Sequence, residues 1–237
     1  MNKKAIFALV LAVLIPVICY VLVKYYSDRS VHMPPRYFYD DVIETTKRGK
    51  KISDTVWHKL SNISLTNQLG KKVTFDDAKG KIIVLDFFFT RCPGICPKLT
   101  KAMRRMQKSF AKNDSIVQFI SVSVDPEYDS VKHLKNFADR YEVNHDNWWL
   151  VTGDKKEIYD FAIKEMKANI ADVNVDTAFV HTEKFFLIDR DRVMRGFYDG
   201  LDSLSQARLA RDIPLLMLEK NKKRTFREFL KDLFSRS

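Results

Sequence analysis

The run from Lys81 to Phe89, KIIVLDFFF, constrains this chain more than any other segment. It is rich in β-branched and aromatic residues, and a run this short that is apolar on both faces reads as a strand buried on both sides. A loop follows, TRCPGIC, and then Pro97 opens a stretch with Leu99, Met103, Met106 and Phe110 at helical spacing. Proline suits the first position of a helix, so the segment predicts a central strand, a short loop and a helix to about Phe110, with Cys96 as the residue capping it. Both Cys92 and Cys96 then lie directly behind a buried strand.

The remaining punctuation agrees with a layered α/β chain. Ser64 to Phe75, broken by Gly70, predicts a hairpin. Ile116 to Val124 and Trp148 to Val151 predict strands, while Val131, Leu134, Ala138 and Tyr141, and then Ile158, Phe161, Ala162 and Met166, mark two helices. Lys184 to Ile188 and Val193 to Tyr198 form a second expected hairpin around Asp189–Arg192, and a last helix starts near Ser203, ended or bent by Pro214. Strands alternating with helices and closed by a hairpin and helix predict an α/β mixed sheet flanked by helices. There is no internal repeat, and no GxGxxG or P-loop pattern that would suggest a nucleotide.

Ahead of this unit, Ala5 to Val23 carry no formal charge and follow Lys3 and Lys4. As a helix that stretch is about 28 Å long, close to the ~30 Å hydrocarbon core of a bilayer. Tyr20, Tyr25 and Tyr26 sit at its far end as an interfacial belt would. No small-x-small cleavage site occurs between Val17 and Ser27, and Ile18 precedes Cys19 where a lipoprotein signal would have a small residue. The expectation is an uncleaved transmembrane anchor over 1–24, a spacer over 25–52, a folded domain over 53–218 and a separate tail over 219–237. The leading lysines favour a cytoplasmic N-terminus, which places the domain in the periplasm or an equivalent extracytoplasmic, oxidising space.

The formal net charge of +11 raises the question of nucleic acid. From Glu219 to Ser237 the tail alone holds seven Lys/Arg against three Asp/Glu; the remaining charge is scattered, with no nucleic-acid-binding module. The tail also places Phe226, Phe229, Leu230, Leu233 and Phe234 among its basic residues, a pattern suited to an anionic membrane surface, to a protein partner, or to a solvated terminus.

Apart from Cys19, Cys92 and Cys96 are the only thiols. A bridge between them would close so short a loop that it stabilises the fold by only ~2 kcal/mol, which makes a purely structural disulfide a poor explanation. The start of a helix favours thiolates, the form that attacks disulfides and binds soft metals. Dedicated thiol oxidoreductases use Cys-x-x-Cys, whereas three residues intervene here. Structural zinc would usually recruit four protein ligands, so two thiolates with one imidazole suit copper better.

Of the five histidines, His32, His58, His133 and His145 fall in a spacer, before a hairpin, on a helix and in a polar loop, places where histidine is usually solvated or capping. His181 stands apart, just before the strand beginning at Lys184. In a thioredoxin-type topology this loop enters beside the strand carrying the thiol turn, where a thioredoxin has a cis-proline; no proline occurs between Pro126 and Pro214.

The run FFFTRCPGICP, then SVSVDPEYDS, TGD at 152–154, FVHTEKFFLIDRD and GFYDG resemble the Sco/SenC family, thioredoxin-fold copper chaperones that help assemble the binuclear copper centre of cytochrome c oxidase. The resemblance covers about Trp57 to Leu218 together with the tether. It implies a thioredoxin-like fold, Cys92, Cys96 and His181 as ligands of Cu(I) or Cu(II), a reversible disulfide between the cysteines, and the copper-bearing oxidase subunit or another extracytoplasmic copper client as partner. Thiol–disulfide exchange with protein cysteines is the alternative function, using the same cysteines without the histidine. Phe179–Val180 stand where the family commonly has Val-Asp, and the basic tail lies outside the family pattern.

Overall fold

The computed structural model of the chain describes residues 3–30, 32–47, 50–167 and 183–219. The chain divides into two compact units, before and after the Met33–Pro34 junction. The first is a single helix, α1 (Lys3–Ser30), which contains Pro16. Its described side chains from residue 11 to residue 23 are all exposed. Among the described residues no helix is long and apolar enough to cross a membrane. The apolar stretch expected to do so, Ala5 to Val23, begins before those side chains.

In the second unit, β1 (Tyr39–Lys47) and β2 (Lys50–Trp57) pair as an antiparallel ribbon of their own. The main sheet has seven strands in the order β4-β3-β7-β6-β5-β8-β9. They are β3 (Ser64–Asn67), β4 (Lys72–Thr74), β5 (Ile82–Phe88), β6 (Val117–Ser123), β7 (Trp148–Thr152), β8 (Lys184–Ile188) and β9 (Met194–Asp199). The trio β5, β6 and β7 is parallel, and β3, β4, β8 and β9 join it antiparallel. This is the expected mixed sheet, with every residue of β5 buried.

Alternation along β5 builds two cores. Ile82, Val84 and Phe88 pack with α2 (Ile95–Ser109), α3 (Val131–Arg140) and α5 (Ser203–Leu218) through Leu99, Met103, Phe137, Leu209 and Ile213. Ile83, Leu85 and Phe87 face the other way, toward Leu60, Phe75 and the helix α4 (Lys155–Asp160), which continues as a π-turn over Phe161–Glu165. The helix starts are capped where the sequence offers a side chain. Ser130 accepts the His133 amide, Asp154 the Glu157 amide, and Asp202 those of Leu204 and Ser205. The turn after β3 closes through Gly70 at φ 76°, a left-handed conformation that glycine adopts without a Cβ penalty.

Three local expectations change. The compact unit begins at Pro34, inside the stretch expected as spacer, because Tyr37 and Phe38 pack edge-on against Phe197 and the Tyr37 amide donates to the Met194 carbonyl at 2.9 Å. Of the two outcomes expected at Pro214, ending the helix is overturned, since α5 runs on to Leu218. Pro97 is not the first helical residue, since α2 starts two positions earlier.

At the start of β9, Arg195 is 2% exposed. Its guanidinium donates to Asp189 Oδ2 at 3.0 Å, to Glu219 Oε2 at 2.5 Å, and to the Pro34 carbonyl at 3.1 and 2.6 Å. One buried cation therefore holds the β8–β9 turn, the first residue of the unit and the residue that follows α5.

Candidate metal centre

The strand β5 delivers the chain at its C-terminal end into the loop carrying Cys92, and α2 lifts Cys96 over the same end. Gly94 is the N-cap of α2, so Cys96 lies inside the first turn rather than capping it. Pro97 fits there because the first-turn amides of a helix have no intrahelical partner to lose. Both cysteines are free and buried, Cys92 8% exposed and Cys96 2%. The Cys96 amide donates to Cys92 Sγ at 3.4 Å.

The two thiols are unequal. Burial works against ionising Cys92, but the Cys96 thiol and the amides of Cys96, Gly94 and Ile95 all hydrogen-bond its sulfur and together bring it below an ordinary thiol. At Cys96 burial dominates, the neighbouring Cys92 adds to it, and its thiol is raised well above the usual range. A helix start was expected to favour both thiolates. It favours the one the amides point at.

The loop is tied from below by residues that the sequence alone did not mark as functional. Asp129 is fully buried and accepts the Thr90 amide at 3.1 Å, the Thr90 hydroxyl at 2.5 Å and the Ser123 hydroxyl at 2.5 Å. Asp125 accepts Arg91 Nε at 2.7 Å, and the Arg91 guanidinium lies 4.7 Å from the centre of the Tyr128 ring. Thus the DPEYD segment after β6 clamps the two residues preceding Cys92. Its signal in the sequence was the pair of aspartates four apart behind a buried strand. On the sheet beneath α2, Asp86 is fully buried, its Oδ1 has no hydrogen-bond partner among the described residues, and burial pushes its carboxyl up to about 7.

His181, the expected third ligand, lies outside the described residues. The strand that follows it is described. β8 runs antiparallel to β5 with Leu85 opposite Phe186, so its first residue, Lys184, sits at the end of β5 from which the thiol loop departs. Gly200 ties that point to the thiol helix: its amide donates to the Glu183 carbonyl at 2.7 Å, and a Cβ there would meet Leu99 at 2.3 Å. Three other histidines are engaged elsewhere. His58 bridges Asp40 and Glu165, His133 bonds the Tyr128 carbonyl, and His145 meets Gln68 and Asp139. Among the described residues no group of three or more His, Cys, Asp or Glu is arranged to hold a metal.

The SCO1/SenC family model matches residues 58–217. A SCO1 homologue from Bacillus subtilis is 35% identical over 156 residues, covering 65% of this chain and 81% of its own. Among solved structures, a SCO1/SenC family lipoprotein from Bacillus anthracis superposes with a TM-score of 0.61 at 32% identity, covering 68% of this chain and 95% of its own. BsSco, a member of the Sco family of cytochrome c oxidase assembly proteins in which a disulfide switch was identified, gives 0.60 at 30% identity over 78% of this chain and all of its own.

Proposed function

This chain belongs to the SCO1/SenC family, and from that premise we propose that it is a membrane-anchored copper chaperone supporting assembly of the copper centre of cytochrome c oxidase. The observation that carries the reading is the meeting of two free thiols at one helix start, with the Cys96 amide directed at the Cys92 sulfur. Two soft sulfur donors, one in the loop and one in the first turn of the helix it leads into, are the donor set that a thiophilic cation selects. Copper is the cargo, held by Cys92, Cys96 and His181 as Cu(I) or Cu(II).

Support for His181 comes from the described backbone that follows it. The chain re-enters the sheet at Lys184, beside the end of β5 that launches the thiol loop. At no more than ~3.6 Å per residue, three residues of backbone keep His181 within about 11 Å of that strand start. Changing His181→Ala should lower copper affinity at least ~100-fold while leaving the thiols titratable, about two affinity decades for one lost ligand. Unchanged binding in that variant would remove the histidine from the site.

Anchoring is the second part of the reading. Ala5 to Val23 would cross the bilayer with Lys3 and Lys4 on the cytoplasmic side, leaving the thiol domain outside the cytoplasm. Protease accessibility in sealed vesicles tests this, with the domain expected on the extracytoplasmic face.

A second reading, thiol–disulfide exchange on a protein client, is favoured by the inequality of the thiols. The Cys92 thiolate would attack a client disulfide and release one client thiolate. Cys96, deprotonated as it attacks, would then displace the other, leaving the client dithiol and a Cys92–Cys96 disulfide. Reductase activity retained in His181→Ala and lost in Cys92→Ser would favour this reading over metal transfer.

A further inference from the structure

The structure joins the two ends of the folded unit at one point, and what leaves that point has a definite chemistry. Arg195 binds the carbonyl of Pro34, the first residue of the unit, and the carboxylate of Glu219, the residue after α5. Arg36 adds a second contact to Glu219 at 3.5 Å. Arg190 donates to the Met217 carbonyl, which holds the last turn of α5 in the same place. Leu218, at the end of that turn, is 72% exposed.

From Lys220 to Ser237 the chain carries seven Lys/Arg and two Asp/Glu. Phe226, Phe229, Leu230, Leu233 and Phe234 recur at i, i+3, i+4, i+7 and i+8, one face of a helical period. Three of the five are phenylalanines, and Lys222, Lys223 and Arg224 stand just ahead of them. A cationic segment with one strongly apolar face is matched by a bilayer bearing negative headgroups, which takes both the charge and the rings. The folded unit offers a poorer partner. The exposed face of α5 carries Arg208 and Arg211, the latter with Asp212 beside it at 3.3 Å, so the helix keeps a net positive charge that does not draw the tail back onto it or onto a second copy.

We propose that residues 220–237 are a second membrane contact that binds anionic phospholipid at the pole where the chain enters the domain from α1. The arginine latch sets the place and the tail supplies the chemistry. A single weak attachment to a bilayer is readily reversible and two together hold, so a tail beginning beside the incoming chain fixes which pole of the domain faces the lipid. This deepens the anchored reading, and it is tested without the anchor.

Among the described residues both cores are built wholly from the second unit, so the chain from Pro34 to Ser237 carries its own core. Its co-sedimentation is measured with phosphatidylcholine vesicles and with vesicles containing phosphatidylglycerol. Binding is expected on the anionic vesicles only, falling steeply with added salt and lost when the chain stops at Glu219. Reversing Lys222, Lys223 and Arg224 to Glu should weaken it on the order of 100-fold, at ~1 kcal/mol per basic residue. Phe226→Ser with Phe229→Ser and Phe234→Ser should release it at moderate salt while circular dichroism of the domain stays unchanged. No binding, equal binding to neutral vesicles, binding that survives removal of 220–237, or a tail-dependent dimer in place of vesicle binding would each overturn the proposal. A failure of α1 to span the membrane would leave this result untouched.

Discussion

The two ends of the central sheet treat buried polar groups in opposite ways. Where β8 ends and β9 begins, Arg195 finds two carboxylates and a carbonyl for its fixed fork of donors. At the C-terminal end of β5, two thiols lie buried without a bridge, and Asp86 beneath them keeps an oxygen with no partner among the described residues. A saturated site holds a shape; an open one can take a ligand or change its charge. The thiols lie at the opposite end of the sheet from the latch that joins Pro34 to Glu219.

The largest effect should come from the open end. Replacing either Cys92 or Cys96 by Ser is expected to cost at least ~1000-fold in copper affinity, some 4 kcal/mol, with the thermal midpoint almost unmoved. Isothermal titration and a melting curve on the same sample check both halves. A large loss of stability instead would make the pair structural and erase the contrast.

At the saturated end the outcomes invert. Arg195→Met leaves the buried Asp189 carboxylate without its cation and Glu219 with Arg36 alone, and stripping one partner from a buried ion pair typically costs ~3–5 kcal/mol. Urea denaturation should show that loss, while copper binding to the folded fraction stays as it was.

Asp86 sharpens the comparison through pH. Burial raises its folded pKa to about 7 from an ordinary carboxylate value near 4, so the protonated carboxyl is the form the fold accommodates. Its contribution is complete below about pH 4 and is lost as pH rises through about 7, amounting to roughly 2–4 kcal/mol by linkage. Stability curves should therefore decline across that window in the parent chain and flatten in Asp86→Asn. A decline of equal steepness in both would locate the cause elsewhere.

The smallest expected effect is steric. Gly200→Ala places a methyl against Leu99 and the Glu183 carbonyl, and overpacking of this kind costs about 1–3 kcal/mol. Because that contact joins the thiol helix to the start of β8, copper affinity should fall with stability here, unlike in Arg195→Met. An affinity that stays constant would show that the two strands carry the site independently.

Much of this architecture was legible because burial writes itself into the chain. KIIVLDFFF became a strand buried on both faces, and Leu99, Met103 and Met106 became the inner face of α2, since a two-sided apolar run and a helical repeat each admit few structures. The ribbon β1–β2 was missed, because its described side chains, none of them buried, have no reason to alternate cleanly. The inequality of Cys92 and Cys96 was also hidden. It depends on which sulfur the amides of α2 reach, a consequence of the helix starting two residues before Pro97. The supporting role of Asp125 and Asp129 needed the fold that folds them back under Thr90 and Arg91.

On the proposed function, the open end of the sheet is a copper site made of two thiolates and an imidazole. Visible spectroscopy of the Cu(II)-loaded chain tests it most directly. A strong thiolate-to-copper charge-transfer band is expected at one metal per chain, shifted and weakened in His181→Ala and absent in Cys92→Ser. A Cu(II) spectrum without that band, or one indifferent to the loss of Cys92, would contradict it.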